Sequence, residues 1–438
     1  MTTETTPCLR LFLDHAAKNS DRGGPITSWA PADSLTGHLE LSGAEFMAIE
    51  DISMYFEGVA RNWITECAEY ERDPRVNKAE HKFLTQAQNI VPTTVSQRAL
   101  SPERFIYEVP FHFVIPKAIA RLDSEVPEHC MQLPPSLELG ESITDESTGH
   151  IFAQPSISYY LRADITLNTG SGGSSMTIDT SLPVIVTPYT KEFPPTETMD
   201  FPAEFKEKES KELRRHLMSR GLGMMTVSVR EPPALSYDIQ SVHASTEVSV
   251  MLDFKSEGSS QIYQILQSLN FEVSPLLRIK TFYSLQSFPS LPSRSLLSLK
   301  GVMRMRDEII KLDRKSIRGV SWKCAFQLIE TPPRSASLPG GRWITHLSIP
   351  ITVDTRLLPT FCTSVVARLY TTILRIKVVG ARVESFNLEV PLQVVHRFPD
   401  QHQFMQTDPI RDEQRFLAFR RDSESSWLSD EALRILPE

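Results

Sequence analysis

The sequence is short of the features that announce chemistry. Its five cysteines, Cys8, Cys67, Cys130, Cys324 and Cys362, are scattered, odd in number and never spaced as Cys-x-x-Cys. That excludes a disulfide framework and a cysteine zinc site, and points to reduced thiols in a cytoplasmic chain. No apolar run reaches the roughly 18 uncharged residues a membrane-spanning helix needs; the most apolar stretch, Val365 to Val379, is broken by Arg368, Arg375 and Lys377. The opening residues MTTETTPCLRLFLD carry Glu4 and no basic start before an apolar core, so no ordinary secretory signal is expected. None of the seven asparagines begins an Asn-x-Ser/Thr acceptor, which agrees with the cytoplasm. Positive charge is not in excess either: 46 Lys and Arg face 54 Asp and Glu, a net charge of -8. A general nucleic-acid binder needs the opposite sign to neutralise phosphates, so no nucleic-acid partner is expected.

Catalytic motifs are missing as well. There is no Gly-x-Gly-x-x-Gly, no P-loop, no Gly-x-Ser-x-Gly and no histidine pair at i,i+4. Gly170-Ser171-Gly172-Gly173 lacks the strand-to-helix setting of a nucleophile elbow. The acid pairs Glu50-Asp51 and Asp307-Glu308 are neighbours in sequence, so on a strand they face opposite ways. No catalytic residue, cofactor or metal site is expected, and the chain reads as a non-enzyme.

What is present is a folded composition, 40% hydrophobic and 23% charged, organised with period two. Ile157, Tyr159, Leu161, Ala163, Ile165 and Leu167 alternate with polar residues, which gives a strand one buried and one wetted face. The same alternation marks Leu9-Leu11-Leu13, Ile52-Met54-Phe56 and Phe105-Tyr107-Val109-Phe111-Phe113-Ile115. Pro110 stands in the last run on the outward parity; proline donates nothing to a ladder, so that strand is an edge or breaks there. In the second half, Val248-Val250-Leu252-Phe254, Leu269-Phe271-Val273, Trp322-Cys324-Phe326-Leu328 and Phe386-Leu388-Val390 repeat the pattern. Many strands without crossover helices imply antiparallel sandwiches. Two segments read as helices. One starts at Asn77 to Glu80, with Ala79, Phe83 and Ala87 on one face; the other is the charged stretch 203–220, with Phe205, Leu213 and Leu217 as a thin stripe.

The expected layout is a β-sandwich over 1–190, a charged linker or helix over 191–220, a second sandwich over 221–397 and a flexible tail over 398–438. Three segments carry binding signals. The basic run Arg304, Arg306, Lys311, Arg314, Lys315, Arg318 and Lys323 is either a solvated face or a patch for an anionic lipid head group or a phosphorylated tail. Arg334-Ser335-Ala336-Ser337-Leu338-Pro339 fits Arg-Ser-x-Ser-x-Pro, which resembles the phosphoserine docking motif of 14-3-3 proteins; Arg334 and Pro339 flank Ser335 and Ser337 as kinase and groove require. Arg420-Arg421-Asp422-Ser423 is the pattern that basic-directed kinases prefer, with Ser423 as the acceptor.

The motifs, taken in order, resemble the arrestin family, closest to the fungal α-arrestin-like trafficking adaptors. The residues that carry the resemblance are the turn Pro31-Ala32-Asp33-Ser34-Leu35-Thr36-Gly37, the strand Ile49 to Gly58 before Trp63, Phe111-His112-Phe113-Val114-Ile115-Pro116 and Leu133-Pro134-Pro135-Ser136. Ser158-Tyr159-Tyr160-Leu161-Arg162-Ala163, Leu358-Pro359-Thr360-Phe361, Tyr370 and Glu389-Val390-Pro391-Leu392 complete it. The turn has Ala32 where the family favours glycine. The resemblance implies two immunoglobulin-like antiparallel β-sandwich domains, the arrestin fold, with one or two short helices. It implies a cytoplasmic adaptor in membrane-protein trafficking, endocytosis or signalling, recruited to plasma membrane or endosomes and binding membrane-protein tails. In that family a HECT-type ubiquitin ligase is recruited through Pro-Pro-x-Tyr. No Pro-Pro pair here is followed by tyrosine at that distance, Tyr237 lying two residues too far beyond Pro232-Pro233. A retromer-like or other structural trafficking subunit without ligase recruitment is the alternative.

Overall fold

A computed structural model describes residues 7–14, 28–43, 48–66, 75–91, 96–101, 104–119, 132–168, 175–201, 203–215, 221–238, 241–256, 261–298, 302–325 and 341–397. The first half contains β1 (Cys8–Leu13), β2 (Ser28–Trp29), β3 (Ser34–Gly43), β4 (Ala48–Glu66), β5 (Arg75–Ile90), β6 (Ser96–Ser101) and β7 (Arg104–Val114). The short strands β8 (Leu137–Glu138), β9 (Ser142–Thr144) and β10 (Ile151–Ala153) precede the long β11 (Ser156–Asn168) and β12 (Ser175–Val186). They form one sheet in the order β1-β3-β7-β6 and another in the order β2-β12-β11-β4-β5, with β8 beside β11 and β9-β10 as a separate hairpin. Ile157, Tyr159, Leu161, Ala163, Ile165 and Leu167 are all buried between the two sheets, beside Ile52, Met54 and Phe56. The chain is all-β, and the period-two faces lie as the alternation requires.

The second half adds β13 (Lys208–Arg214), β14 (Gly221–Val229), β15 (Leu235–Tyr237), β16 (Ala244–Ser256), β17 (Asn270–Ser284), β18 (Met303–Lys311), β19 (Lys315–Ile317) and β20 (Lys323–Cys324). It closes with β21 (Arg342–Val353), β22 (Phe361–Cys362), β23 (Val366–Val379), β24 (Phe386–Leu392) and β25 (Val394–His396). One sheet runs β13-β14-β16-β21-β20; the facing sheet runs β18-β17-β23-β22, with β19 on β17 and β24 on β23. Val248, Val250, Leu252 and Phe254 from one sheet meet Phe271, Val273, Phe386, Leu388 and Val390 from the other, making a second antiparallel sandwich. One α-helix, α1 (Ile262–Ser268), is described; it buries Ile262 and Leu266 at the end of this core.

Prolines decide where ladders stop. β6 pairs with β7 only up to Glu108, and Pro110 lies just beyond, on the side left open. Pro183 and Pro350 likewise sit in β12 and β21, each bonded to one neighbour at that point. Pro275 is in the middle of its sheet, but between the two partner strands: β18 pairs with β17 from Leu276 on, and β19 resumes at Val273. A residue without an N–H is tolerated only at such openings.

Both expected helices are strands. The 77–87 segment belongs to β5, which pairs with β4 along its length. A register shift between Gly58 and Val59 puts Phe83 and Leu84 both inside, and this bulge breaks the period of two so that the spacing imitates a helix. Within 203–220, residues 208–214 form β13 on β14. Its alternating Lys and Glu are what a charged edge strand carries, and they read like a solvated helix face.

The two sandwiches meet in a shared apolar contact, with Tyr283, Phe361, Val365 and Val366 of the second buried against the core of the first. Asn62 Nδ2 donates to the Ser284 carbonyl at 3.0 Å within this contact, and His81 Nδ1 lies 3.0 Å from Ser364 Oγ.

Candidate functional site

The sheet β18-β17-β23 carries charge on both faces, differently arranged. On its outer face, Lys280 is 2% exposed. Residues 203–205 cross above it and bring Glu204, which forms an ion pair with Lys280 and accepts the backbone N–H of Arg294. Lys280 also lies 3.4 Å from Glu389, as does Arg278, whose Nε donates to Asp307 at 2.8 Å. Arg294 completes the set, 3.9 Å from Glu204 and 3.8 Å from Glu389. Three cations thus face three carboxylates. The Asp307 hydrogen bond holds the Arg278 guanidinium above its ordinary pKa. Burial pushes the Glu389 carboxyl up, against the pull of Lys280 and Arg278. A small hollow lined by Phe201, Phe205, Phe282, Leu291 and Tyr370 adjoins the cluster. Chemically this is a closed electrostatic clasp: it pins the 203–205 crossing and the turn Arg294–Ser298 to the sheet.

The inner face holds the missed signal. Registers place Arg306, Thr281 and Arg368 side by side across β18, β17 and β23, with Arg304, Tyr283 and Val366 in the adjacent row. Arg368 is 7% exposed and has hydroxyl partners: Nε donates to Tyr370 Oη at 3.0 Å and a terminal nitrogen to Thr281 Oγ1 at 2.9 Å. Its parity, shared with Val366, Tyr370 and Leu374, is that of the core. A charged residue on core parity inside the Val365 to Val379 run was the sequence signal that could have found it. Lys280 had none, because the crossing segment that buries it is remote in sequence.

The expected basic patch is dispersed. Arg304 and Arg306 are half-buried on β18 facing the first sandwich, where Arg306 packs against Gly140. Lys311 and Arg314 are exposed at the break opposite Pro275, Lys315 is 4.0 Å from Asp313, and Arg318 is exposed after β19. Arg304, Arg306 and Lys311 belong to β18, Lys315 to β19, and Arg314 and Arg318 lie outside the strands. Arg334, Ser335, Ser337 and Pro339 lie outside the described residues, as do Arg420, Arg421 and Ser423. Among the described residues no group of His, Cys, Asp and Glu is placed to hold a metal ion, and Cys8, Cys324 and Cys362 are in no disulfide.

The motif residues have local duties. Tyr159 donates its hydroxyl to the Pro134 carbonyl at 2.6 Å, and Ser136 Oγ accepts the Val186 N–H at 2.9 Å. At the other end of the first sandwich lies an open seam. Among the described residues β1 pairs only with β3, and β12 has no partner on its outer side until Ile185. The two edges lie against each other. Leu9, Leu11 and Leu13 from one and Met176, Ile178 and Leu182 from the other are only partly buried between them. Outside, Phe12 is 39% exposed and stacks on His38 at 5.0 Å.

Compared with known proteins, the chain matches no family model and no curated sequence.

Proposed function

We propose that this chain is a non-enzymatic, arrestin-like adaptor in membrane-protein trafficking or signalling that grips extended protein tails at a sheet edge. The observation that carries the reading is the β1–β12 seam. Unpaired strand edges are templates for an added strand, whose backbone supplies affinity while side-chain pockets supply selectivity. Here Leu9, Leu11 and Leu13 are only partly buried against the first core, and Phe12 gives an exposed contact. The motifs that resemble arrestins support the adaptor class and its cytoplasmic place, with recruitment to plasma membrane or endosomes. None of the described helices is long and apolar enough to cross a membrane. The buried contact between the sandwiches favours a second reading, a structural trafficking subunit that uses the chain as a rigid body.

The test is proximity labelling in the native cell with wild type and Phe12→Asp. Adaptor function is supported by recovery of cytoplasmic tails of membrane proteins that falls with Phe12→Asp. A stable stoichiometric assembly, recovered equally with both chains and containing no such tails, supports the structural subunit instead and sinks the adaptor.

A further inference from the structure

The fold pairs its buried cations with carboxylates on one face of the β17 sheet and leaves three arginines without any on the other. Lys280, Arg278 and Arg294 face Glu204, Glu389 and Asp307. Arg304, Arg306 and Arg368 make no ion pair among the described residues. Arg304 donates at 3.2 Å to the Met303 carbonyl, and Arg368 to the two hydroxyls of Tyr370 and Thr281. The acid nearest in register, Glu308, is exposed and pairs with none of them. A guanidinium at 7% exposure that meets two hydroxyls and the Tyr370 ring, at 5.7 Å, but no carboxylate gains from an anion that completes it.

We propose that Arg304, Arg306 and Arg368 form an anion site that takes a phosphate group. Arg306 and Arg368 are separated only by β17, with Thr281 directly between them. Two strand spacings, about 10 Å, are within the combined reach of two arginine arms. Arg304 stands in the next row beside Tyr283, a residue 6% exposed. Arg304 and Arg306 both pull the Tyr283 phenol against the rise that burial gives it, which places their charges around that ring. Flat guanidinium forks match the oxygens of a phosphate in pairs, and a tyrosine hydroxyl adds a neutral donor. β18 is the sheet's edge, so the half-buried Arg304 and Arg306 form the entrance and Arg368 the floor. The site stands on these residues alone and holds whatever the chain carries as an adaptor.

The experiment is isothermal titration of the full chain with inorganic phosphate, against chloride at matched ionic strength, in wild type, Arg306→Gln and Arg368→Met. Phosphate is expected to bind and to raise the melting temperature where chloride does not, and either variant is expected to weaken binding at least tenfold. Arg368→Met also removes an unpaired charge, so without phosphate it should melt no lower than wild type. If Arg368→Met does not fold, the half-buried Arg304→Gln and Arg306→Gln variants carry the test. A parallel arm with phosphatidylinositol-phosphate vesicles separates the sources. Arg368-dependent vesicle binding adds a lipid headgroup; binding of soluble phosphate alone assigns a small free ligand. Identical responses to phosphate and chloride, or wild-type affinity in Arg368→Met and Arg306→Gln, would overturn the site.

Discussion

Gln88 of β5 accepts the backbone N–H of His112 in β7 at 3.2 Å, so a side chain from one sheet closes the open ladder of the other. Gln86 does the reverse two residues away, donating from Nε2 to the Val114 carbonyl at 3.0 Å. The need arises from Pro110: where β6 ends, β7 would present bare edge groups, and the two glutamines cover them. Replacing Gln88 with Ala is expected to speed hydrogen exchange at the His112 amide and to lower stability by about 1 kcal/mol. An unchanged His112 exchange rate would show that the seam is closed by something else.

Ala32 stands in the turn before β3, and it alone among described non-glycine residues has positive φ, 72°. Asp33 N–H donates to the Ala30 carbonyl at 3.0 Å across Pro31-Ala32, the form of turn that wants glycine at its third position. A left-handed alanine costs about 1–2 kcal/mol, partly offset because it narrows the unfolded ensemble. Ala32→Gly should therefore stabilise the chain by about 0.5–1 kcal/mol in urea unfolding, and any loss of stability contradicts the strain.

Lys280 and Glu204 give a double-mutant test of the clasp. Lys280→Met alone leaves Glu204 and Glu389 buried without their main cation and should cost about 3–5 kcal/mol. Adding Glu204→Leu should restore much of that, because a well-packed apolar pair replaces a buried ion pair at little net cost. Additive losses in the cycle would mean that the two residues are not coupled.

His396 supplies a pH dependence. It is 2% exposed, its Nε2 lies 2.7 Å from the Leu357 carbonyl and its Nδ1 has no partner. Burial, reinforced by Arg356, lowers its pKa to about 4, despite the opposing hydrogen bond to Leu357. The folded pKa is below the unfolded one, so the unfolded chain takes up the proton first. Stability from this residue is full above about pH 6.5 and declines as pH falls towards 4, by about 3 kcal/mol in all. Denaturation midpoints of wild type and His396→Gln should diverge over that window, and parallel curves would refute the assignment.

The outer group of the basic run is expected to answer to salt. Arg314→Ala, Lys315→Ala and Arg318→Ala combined should reduce binding to anionic vesicles by several-fold, and raised ionic strength should reduce wild-type binding likewise. Co-sedimentation that is weak in all cases and indifferent to salt returns these residues to solvated surface.

The sequence by itself determined the class and the faces. Ile157, Tyr159, Leu161 and Ile165 had to share a core because neighbours on a strand point opposite ways, and Pro110 had to mark an opening because it has no N–H to give. Local pattern misled where it was interrupted: the bulge at Gly58 made β5 look helical, and an edge strand's charges made β13 look like a solvated helix. Only the tertiary structure decided which charges are buried. Lys280 has outward parity and is covered by residues more than 70 positions away, while Pro275 splits the basic run that looks continuous in the chain. Periodicity is a property of one strand and can be read along it. Burial of a polar side chain depends on what crosses above it, and that is set by pairings between strands far apart in sequence.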